Sequence, residues 1–323
     1  MKASVIIPTY NRPDLLQRQL ACLADQVGDA IEEVLVCDDG SSTDTQKSML
    51  PFEGRIPGLK LLWQEDLGFR AGQARNLGIA KARGDLLIFV DDDVLLPGDF
   101  VINHIAAHAR HGNGCLSPLM ILGFRHRAHQ PPVNVLPADA EIEASVPDCR
   151  VEELGVGGRN LESCEHPWFY VYSCNFSVPR RPEVSFDEDF VGWGMEDIEL
   201  GYRLVKSGYD VIVEPSARVL HVEAPQPRDP FLCEDRGLPP TYDTYVRNMV
   251  LFIDKYPEDA HLHELLGADL RWYVRDESNQ HWIKDGHEHE VDSVMIFERE
   301  ARRLAAMDSL RDEPGQRFRE PLV

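Results

Sequence analysis

Four short apolar runs, each breaking off into a polar cluster, constrain this chain more than any other feature. Val5-Ile6-Ile7 stops at Pro8, and residues 31–37 run into Asp38-Asp39-Gly40-Ser41. Residues 59–63 form a third run, and residues 86–90 lead straight into Asp91-Asp92-Asp93. Short runs of this kind, mostly apolar, are expected of strands buried on both faces. Helical patterns fill the gaps. Leu15, Leu16, Leu20 and Leu23 share one face, 43–50 reads as a short helix, and 71–83 carries Ala74, Leu77, Ile79 and Ala80. Strand and helix in alternation predict an α/β fold, a mostly parallel sheet with helices on both faces. Ligands of such sheets sit beyond the carboxyl ends of the strands, and each polar cluster falls at such an end.

The remaining chain is less periodic. Residues 120–165 contain Pro131-Pro132, Pro137, Pro147 and Gly155-Val156-Gly157-Gly158, and read as a long loop or insertion. Residues 168–178 read as a strand, 197–207 as a helix, and 211–213 and 219–222 as short extended segments. Prolines 225, 227, 230, 239 and 240 mark a boundary. The expected division is therefore a domain over 1–225 and a mainly helical extension over 226–323. An acceptor-binding appendage, a dimerisation element (giving a homodimer) and a lid are the roles open to that extension.

Charge narrows the partners. With 33 Lys+Arg against 55 Asp+Glu, the net charge is −22. Nucleic acid and anionic membranes are excluded as general partners by repulsion. A nucleotide would need a cation or a few placed arginines. The seven cysteines are scattered without a CxxC pair and read as reduced thiols of a cytoplasmic protein. No stretch approaches the roughly 20 apolar residues of a transmembrane helix.

Each cluster has two readings. Asp91-Asp92-Asp93 suits a hard divalent ion, Mn²⁺ or Mg²⁺, bridging carboxylates to phosphate, or is a solvated turn. Asp38 and Asp39 can accept from a base N–H, or form an Asx turn and helix cap. Gly68-Phe69-Arg70-Ala71-Gly72 opens a helix that can face phosphate, or is an ordinary helix start. In Gly192-Trp193-Gly194-Met195-Glu196-Asp197 a carboxylate can take a proton from a hydroxyl, or the acids merely complement the helix dipole. His221 is a core histidine or a ligand. The pairs His126 with His129, His261 with His263 and His287 with His289 read as surface histidines.

The order of these motifs is more specific than any one of them. Pro8-Thr9-Tyr10-Asn11-Arg12, Asp38-Asp39-Gly40-Ser41, Ala74-Arg75-Asn76-Leu77-Gly78, Asp91-Asp92-Asp93, Trp193-Gly194-Met195-Glu196-Asp197 and His221 follow in that sequence. Over residues 3–223 the chain resembles the GT-A glycosyltransferases of family 2. Its later part is similar to the Trp-Gly-x-Glu-Asp segment of galactosyltransferases and chondroitin polymerases.

The resemblance implies a GT-A fold and a metal-dependent, inverting transfer from a UDP-sugar to an acceptor hydroxyl. The acceptor, whether saccharide, small molecule or peptide, is left open. It implies that Pro8, Thr9, Tyr10 and Arg12 hold the nucleoside, that Asp38 and Asp39 read the uracil edge, and that Arg75, Asp91 and Asp92 lie on the nucleotide side. Asp93, His221 and Asp91 would hold Mn²⁺ or Mg²⁺. Asp197 would be the catalytic base, and Glu196, counted with it among the catalytic residues, would contact donor sugar or acceptor. Trp193, Gly194 and Asn175 would contact donor or acceptor sugar. Alternatives are a retaining GalNAc-transferase-like enzyme, a non-catalytic nucleotide-sugar-binding protein, and a nucleotidyltransferase. The last would usually carry a glycine-rich loop with a basic residue after the first strand, which Pro8-Thr9-Tyr10-Asn11 is not.

Overall fold

The computed structural model describes residues 1–26, 28–112, 117–128, 159–162, 164–222, 242–276 and 281–284, with single positions between 137 and 151. It divides into two compact units. The first comprises Met1–Asp66, Arg70–Glu188 and Asp197–Pro225. The second comprises Leu67–Phe69, Asp189–Glu196 and Gln226–Val323. The second unit thus draws two short segments from within the expected first domain.

The first unit is built on one sheet. Strands β1 (Ala3–Thr9), β2 (Ile31–Asp38), β3 (Lys60–Trp63) and β4 (Leu86–Val90) pair in parallel in the order β3-β2-β1-β4. Every residue of β1 and β4 is buried, which is why their sequences are continuously apolar rather than alternating. Helices α1 (Pro13–Ala24) and α3 (Ala71–Lys81) cover opposite faces, with the short α2 (Thr45–Met49) between them in the chain. Leu16, Leu20 and Leu23 of α1 pack with Val5, Ile7, Val34 and Ile88. Ala74 of α3 packs with Ile6, Leu35, Leu87 and Phe89 on the other face. Gly78 lets α3 approach that closely, since a Cβ there would lie 2.6 Å from Ile6 Cγ2 and 2.9 Å from Cys37 Sγ.

Beyond β4 the sheet becomes mixed, continuing β8-β6-β9-β5. Here β5 is Val94–Leu95, β6 is Leu119–Ala128, β8 is Asn175–Pro179 and β9 is Asp210–Val222. The two-residue β7 (Arg159–Asn160) pairs with β9. Helix α4 (Phe100–Gly112) buries Phe100, Val101, His104, Ala107 and His108, and α5 (Glu196–Lys206) packs Leu200 and Leu204 onto the Phe89 face. The expected α/β class holds.

Several local expectations do not. Residues 119–128 are a full strand rather than the start of a loop, so His126 lies in β6 opposite Leu220. The two extended pieces at 211–213 and 219–222 are one strand. The span 168–178 opens with a 3₁₀ turn (Pro167–Tyr170) and becomes strand only at Asn175. The glycines at 155–158, the prolines at 225–240, and His129, His287 and His289 lie outside the described residues.

In the second unit, α6 (Asp243–Lys255) and α7 (Ala260–Leu270) are followed by a hairpin of β10 (Tyr273–Arg275) and β11 (Trp282–Lys284). Asp259 caps α7 by accepting from the Leu262 N–H at 3.0 Å. Among the described residues no helix is long and apolar enough to cross a membrane. Cys22, Cys37, Cys164 and Cys174 lie outside any disulfide. Burial pushes the Cys37 thiol up to about 12.

Candidate active site

The chain reverses its direction of strand addition at β1, with β2 on one side and β4 on the other. A crevice at the carboxyl ends of such strands is where α/β sheets bind ligands. At these carboxyl ends the end of β1 meets the end of β4. Thr9 Oγ1 donates to Asp92 Oδ2 at 2.7 Å. Arg12 Nη1 donates to Asp92 Oδ1 at 3.2 Å and to Asp93 Oδ2 at 2.7 Å.

Each of the three carboxylates has its own cationic neighbour. Asp91 Oδ1 takes the Arg75 Nη2 hydrogen bond at 2.7 Å, and the Arg75 guanidinium stacks over the Phe186 ring at 5.3 Å. Asp92 belongs to Thr9 and Arg12. Burial pushes the Asp92 carboxyl up to about 7, against the pull of Arg12. Asp93 lies between Arg12 and His221, whose Nε2 is 3.3 Å from Asp93 Oδ1. Burial would raise the Asp93 carboxyl, but His221 and Arg12 together hold it below the ordinary carboxylate range. Burial likewise opposes charge on His221, and Asp93 overcomes it and raises the imidazole.

Strand pairing delivers His221 to this position. Val94 of β5 pairs with His221 of β9, and the Val222 N–H donates to the Asp93 carbonyl at 2.9 Å. Asp93 Oδ1 and His221 Nδ1 are buried and make no hydrogen bond. The facing pair, Asp93 Oδ1 and His221 Nε2, is a carboxylate oxygen and an imidazole nitrogen of the kind that could hold a shared divalent cation. Among the described residues no group of three or more His, Cys, Asp or Glu side chains is gathered for a metal. Asp93 and His221 are the pair that could hold such a cation, and Asp91 Oδ1 is engaged by Arg75. A cation with two protein ligands takes its remaining ligands from water and substrate phosphate.

Asp38 and Asp39 are buried and engaged within the chain. Asp38 Oδ1 accepts from the Ser41 N–H at 2.7 Å and Oδ2 from the Thr45 hydroxyl, an Asx turn that also starts α2. Asp39 Oδ1 accepts from Gln64 Nε2 at 2.5 Å and Oδ2 from the Arg70 N–H at 2.7 Å. The donor at the start of α3 is thus taken by Asp39. Burial raises the Asp39 carboxyl despite these donors. Around them the β1 and β2 loops are tied together. The Asn11 N–H donates to Ser41 Oγ at 2.8 Å, and Asn11 Oδ1 accepts from the Ser42 N–H at 2.9 Å. Pro8 pairs with Cys37 in register, and Tyr10 is exposed with its hydroxyl on Asp66 at 3.0 Å.

Asp197 stands in the first turn of α5. Its Oδ2 accepts from the Ser173 N–H at 2.9 Å and its Oδ1 from the Ile198 N–H at 2.9 Å. Burial raises its carboxyl, opposed by these donors and by the charge of Arg75, while Asp91 adds to the rise. Arg75, Asp91 and Asp197 therefore share one electrostatic environment. A raised, partly accessible carboxylate beside them is suited to accept a proton.

Trp193, Gly194 and Glu196 belong to the second unit. Gly192 has φ +82°, Gly194 φ +99° and Met195 φ +73°, so the turn before α5 is left-handed at three positions. Glu196 is buried.

Asn175 departs from its expected role as a sugar contact. It is fully buried, with Nδ2 donating to the Phe124 and Ala217 carbonyls at 3.1 and 2.7 Å and Oδ1 facing His104 Nε2 at 3.0 Å. It is a core residue joining three elements. Conversely, Gln19 and Ser173 were not among the expected site residues. Gln19 donates to the Asp91 carbonyl from the buried face of α1, and Ser173 acts through its backbone. A lone amide amid Leu16, Leu20 and Leu23 is the signal that could have found the first. A backbone donor leaves none.

Comparison with known proteins bears on the family and the fold. Residues 4–143 match the model of glycosyl transferase family 2. The chain is 34% identical over 285 residues to validoxylamine A glucosyltransferase of Streptomyces hygroscopicus subsp. jinggangensis, covering 84% of this chain and 63% of that protein. It is 29% identical over 241 residues to the chondroitin synthase of Escherichia coli, covering 69% and 35%. The S. aureus TarS 1–349 structure in complex with UDP-GlcNAc superposes with TM-score 0.59 at 18% identity, covering 84% of this chain and 72% of that one. The sheet with its crevice is the GT-A class of fold. The chain belongs to glycosyltransferase family 2. It spans about three fifths of the length of the validoxylamine A glucosyltransferases it matches, 63% and 59%.

Proposed function

We propose that this protein transfers a sugar from a UDP-sugar to an acceptor hydroxyl, with inversion at the anomeric carbon and with help from a divalent cation. The observation that carries the reading is Asp197: a raised carboxylate sharing its surroundings with Arg75 and Asp91, at the crevice that also holds Asp93 and His221.

The chemistry follows from those groups. Asp197 accepts the proton of the acceptor hydroxyl at a carboxylate oxygen. That hydroxyl oxygen bonds to the anomeric carbon as the bond to the diphosphate oxygen breaks, and the electron pair leaves with UDP. Ser173 and Ile198 N–H groups hold the carboxylate in place. Arg12 and Arg75 balance the carboxylates, so that an anionic diphosphate can approach so acidic a chain. Asp93 and His221 would hold Mn²⁺ or Mg²⁺, which when bound neutralises charge developing on the leaving group. An ionisable Asp at 197 supports a single displacement over a retaining route.

The name of the Streptomyces relative makes glucose the first donor sugar to test and validoxylamine A the first acceptor. The assay is UDP release from UDP-glucose, UDP-galactose, UDP-GlcNAc and UDP-GalNAc, with Mn²⁺ or with EDTA, across saccharide and small-molecule acceptors. Release that depends on acceptor and cation is expected. UDP binding without turnover of any donor would favour a non-catalytic binding protein.

A further inference from the structure

The turn 189–194 is moulded on α6 along its whole length. The Trp193 N–H donates to Thr244 Oγ1 at 3.2 Å. Asn248 Nδ2 donates to the Gly194 carbonyl at 2.8 Å, and Arg247 Nη1 to the Val191 carbonyl at 2.9 Å. Lys255 pairs with Asp189 at 2.7 Å. The glycines are required by the same contact. A Cβ on Gly192 would lie 2.4 Å from Thr244 Cγ2, and one on Gly194 would lie 2.5 Å from Tyr245 Cδ2. The Trp193 and Tyr245 rings lie 5.0 Å apart, tilted by 33°.

Two of these contacts are unlike ordinary surface packing. Asn248 is fully buried, an amide on the apolar face of α6 among Val246, Met249, Phe252 and Ile253. Burying an amide costs unless it is hydrogen-bonded, so this one is kept for its partners. Its Oδ1 accepts from Arg247 Nη1 at 3.2 Å, and its Nδ2 reaches the carbonyl of Gly194, next to Met195, whose φ of +73° is strained for a side chain of that size. Strain of this kind persists only where surrounding contacts over-determine it. The Tyr245 ring in turn is braced by its hydroxyl on Asp269 Oδ2 at 3.0 Å and by the Tyr273 ring at 5.5 Å.

We propose that Asn248 and Tyr245 are positioning residues for sugar transfer: from α6, Asn248 fixes the Gly194–Met195 backbone and Tyr245 fixes the Trp193 ring. This gives the C-terminal extension a part in the reaction. Residues 192–195 run directly into Glu196, so the contacts with α6 set the pose of the Trp193 ring within this unit. The proposal rests on the reading of Trp193 as a sugar contact and Asp197 as the base. It concerns acceptor and sugar placement, not capture of the nucleotide.

The test uses the full chain with the variants Asn248→Ala, Tyr245→Ala and Tyr245→Phe. UDP affinity is measured by calorimetry, and kcat and acceptor KM are measured separately. Misplacement by about 1 Å costs on the order of 10²-fold in rate. Asn248→Ala and Tyr245→Ala are expected to lose about 10- to 100-fold in kcat/KM for acceptor while UDP affinity stays within about twofold. Tyr245→Phe, which keeps the ring, is expected to restore most of the loss. Acceptor kcat/KM within twofold of the parent in both alanine variants would overturn the proposal. So would a parallel loss of UDP affinity and thermal stability, or a Tyr245→Phe variant as impaired as Tyr245→Ala. Failure of the underlying reading is seen separately, as a parent protein that turns over no UDP-sugar or an Asp197→Asn variant that retains full activity.

Discussion

His221 Nε2 stands 3.3 Å from Asp93 Oδ1, brought there by the pairing of β5 with the end of β9. Asp93 Oδ1 and His221 Nδ1 are both buried without a hydrogen bond. The Asp93 carboxylate oxygen and the facing His221 Nε2 are the donor types a divalent cation takes. Asp93→Asn and His221→Ala are each expected to lower Mn²⁺-dependent UDP affinity at least tenfold, with little effect on the residual binding seen in EDTA. Calorimetry with and without Mn²⁺ reads this. An unchanged Mn²⁺ dependence in both variants would remove the pair from the cation site.

Asp197→Asn is expected to keep UDP affinity and lower turnover by about 10²-fold or more, the scale of lost general-base help. The pH profile adds a sign. A base works ionised, and burial raises this carboxyl. The acid limb of kcat/KM is therefore expected above the ordinary Asp range near about 3.9, with activity rising through it as pH rises. The limb is expected to vanish from the residual activity of the variant.

His104 and His108 give the fold its own pH dependence. His104 Nδ1 and His108 Nε2 meet the Ser177 hydroxyl at 2.8 and 2.9 Å, and His104 Nε2 meets Asn175 Oδ1 at 3.0 Å. The chain of bonds closes with both rings neutral. Burial lowers His104 to about 4 and His108 to about 3. Between those values and about 6.5, where an unfolded histidine titrates, the unfolded chain binds more protons, so stability rises with pH. Each histidine is expected to withdraw about 1.4 kcal/mol per pH unit as pH falls below about 6.5. Urea unfolding between pH 7.5 and 5 checks this, and a His108→Gln variant with the same slope as the parent would contradict it.

Gly78→Ala is expected to cost about 1–3 kcal/mol, because its Cβ would press on Ile6 and Cys37 where α3 meets the sheet. A thermal melt unchanged from the parent would contradict that packing. The substitution touches none of the site's carboxylates, so UDP affinity of the folded fraction is expected to persist.

Much of the parallel half of the sheet could be read from the sequence because β1, β2 and β4 are buried on both faces and so carry the apolar runs Val5-Ile6-Ile7, Val34-Leu35-Val36-Cys37 and Leu86-Leu87-Ile88-Phe89-Val90. The other half could not. The outer part of β6 carries Arg125, His126 and Arg127, and its polar sequence reads as loop. The middle of β9, Glu214-Pro215-Ser216, interrupts the apolar pattern where the pairing with β6 shifts register, although the strand runs on through it. No expectation covered α4, whose buried face includes two histidines. At the site, the residue types were legible and their partners were not. Nothing in Asp91-Asp92-Asp93 announces that Arg75, Arg12 and His221 divide the three carboxylates among them. Asn175 looked like a polar handle for a sugar because the buried histidines that require it lie some seventy residues away.

The central claim is an inverting transfer with Asp197 as base, and the configuration of the product tests it most directly. The protein is incubated with UDP-glucose, in which glucose is α-linked, together with Mn²⁺ and the acceptor that gives turnover. The linkage formed is then read by proton NMR, with UDP-galactose, UDP-GlcNAc and UDP-GalNAc run in parallel. A β-linked product, formed at least 10²-fold more slowly by Asp197→Asn, is the result expected. An α-linked product, or a β-linked product formed at the parent's rate by that variant, would contradict the account.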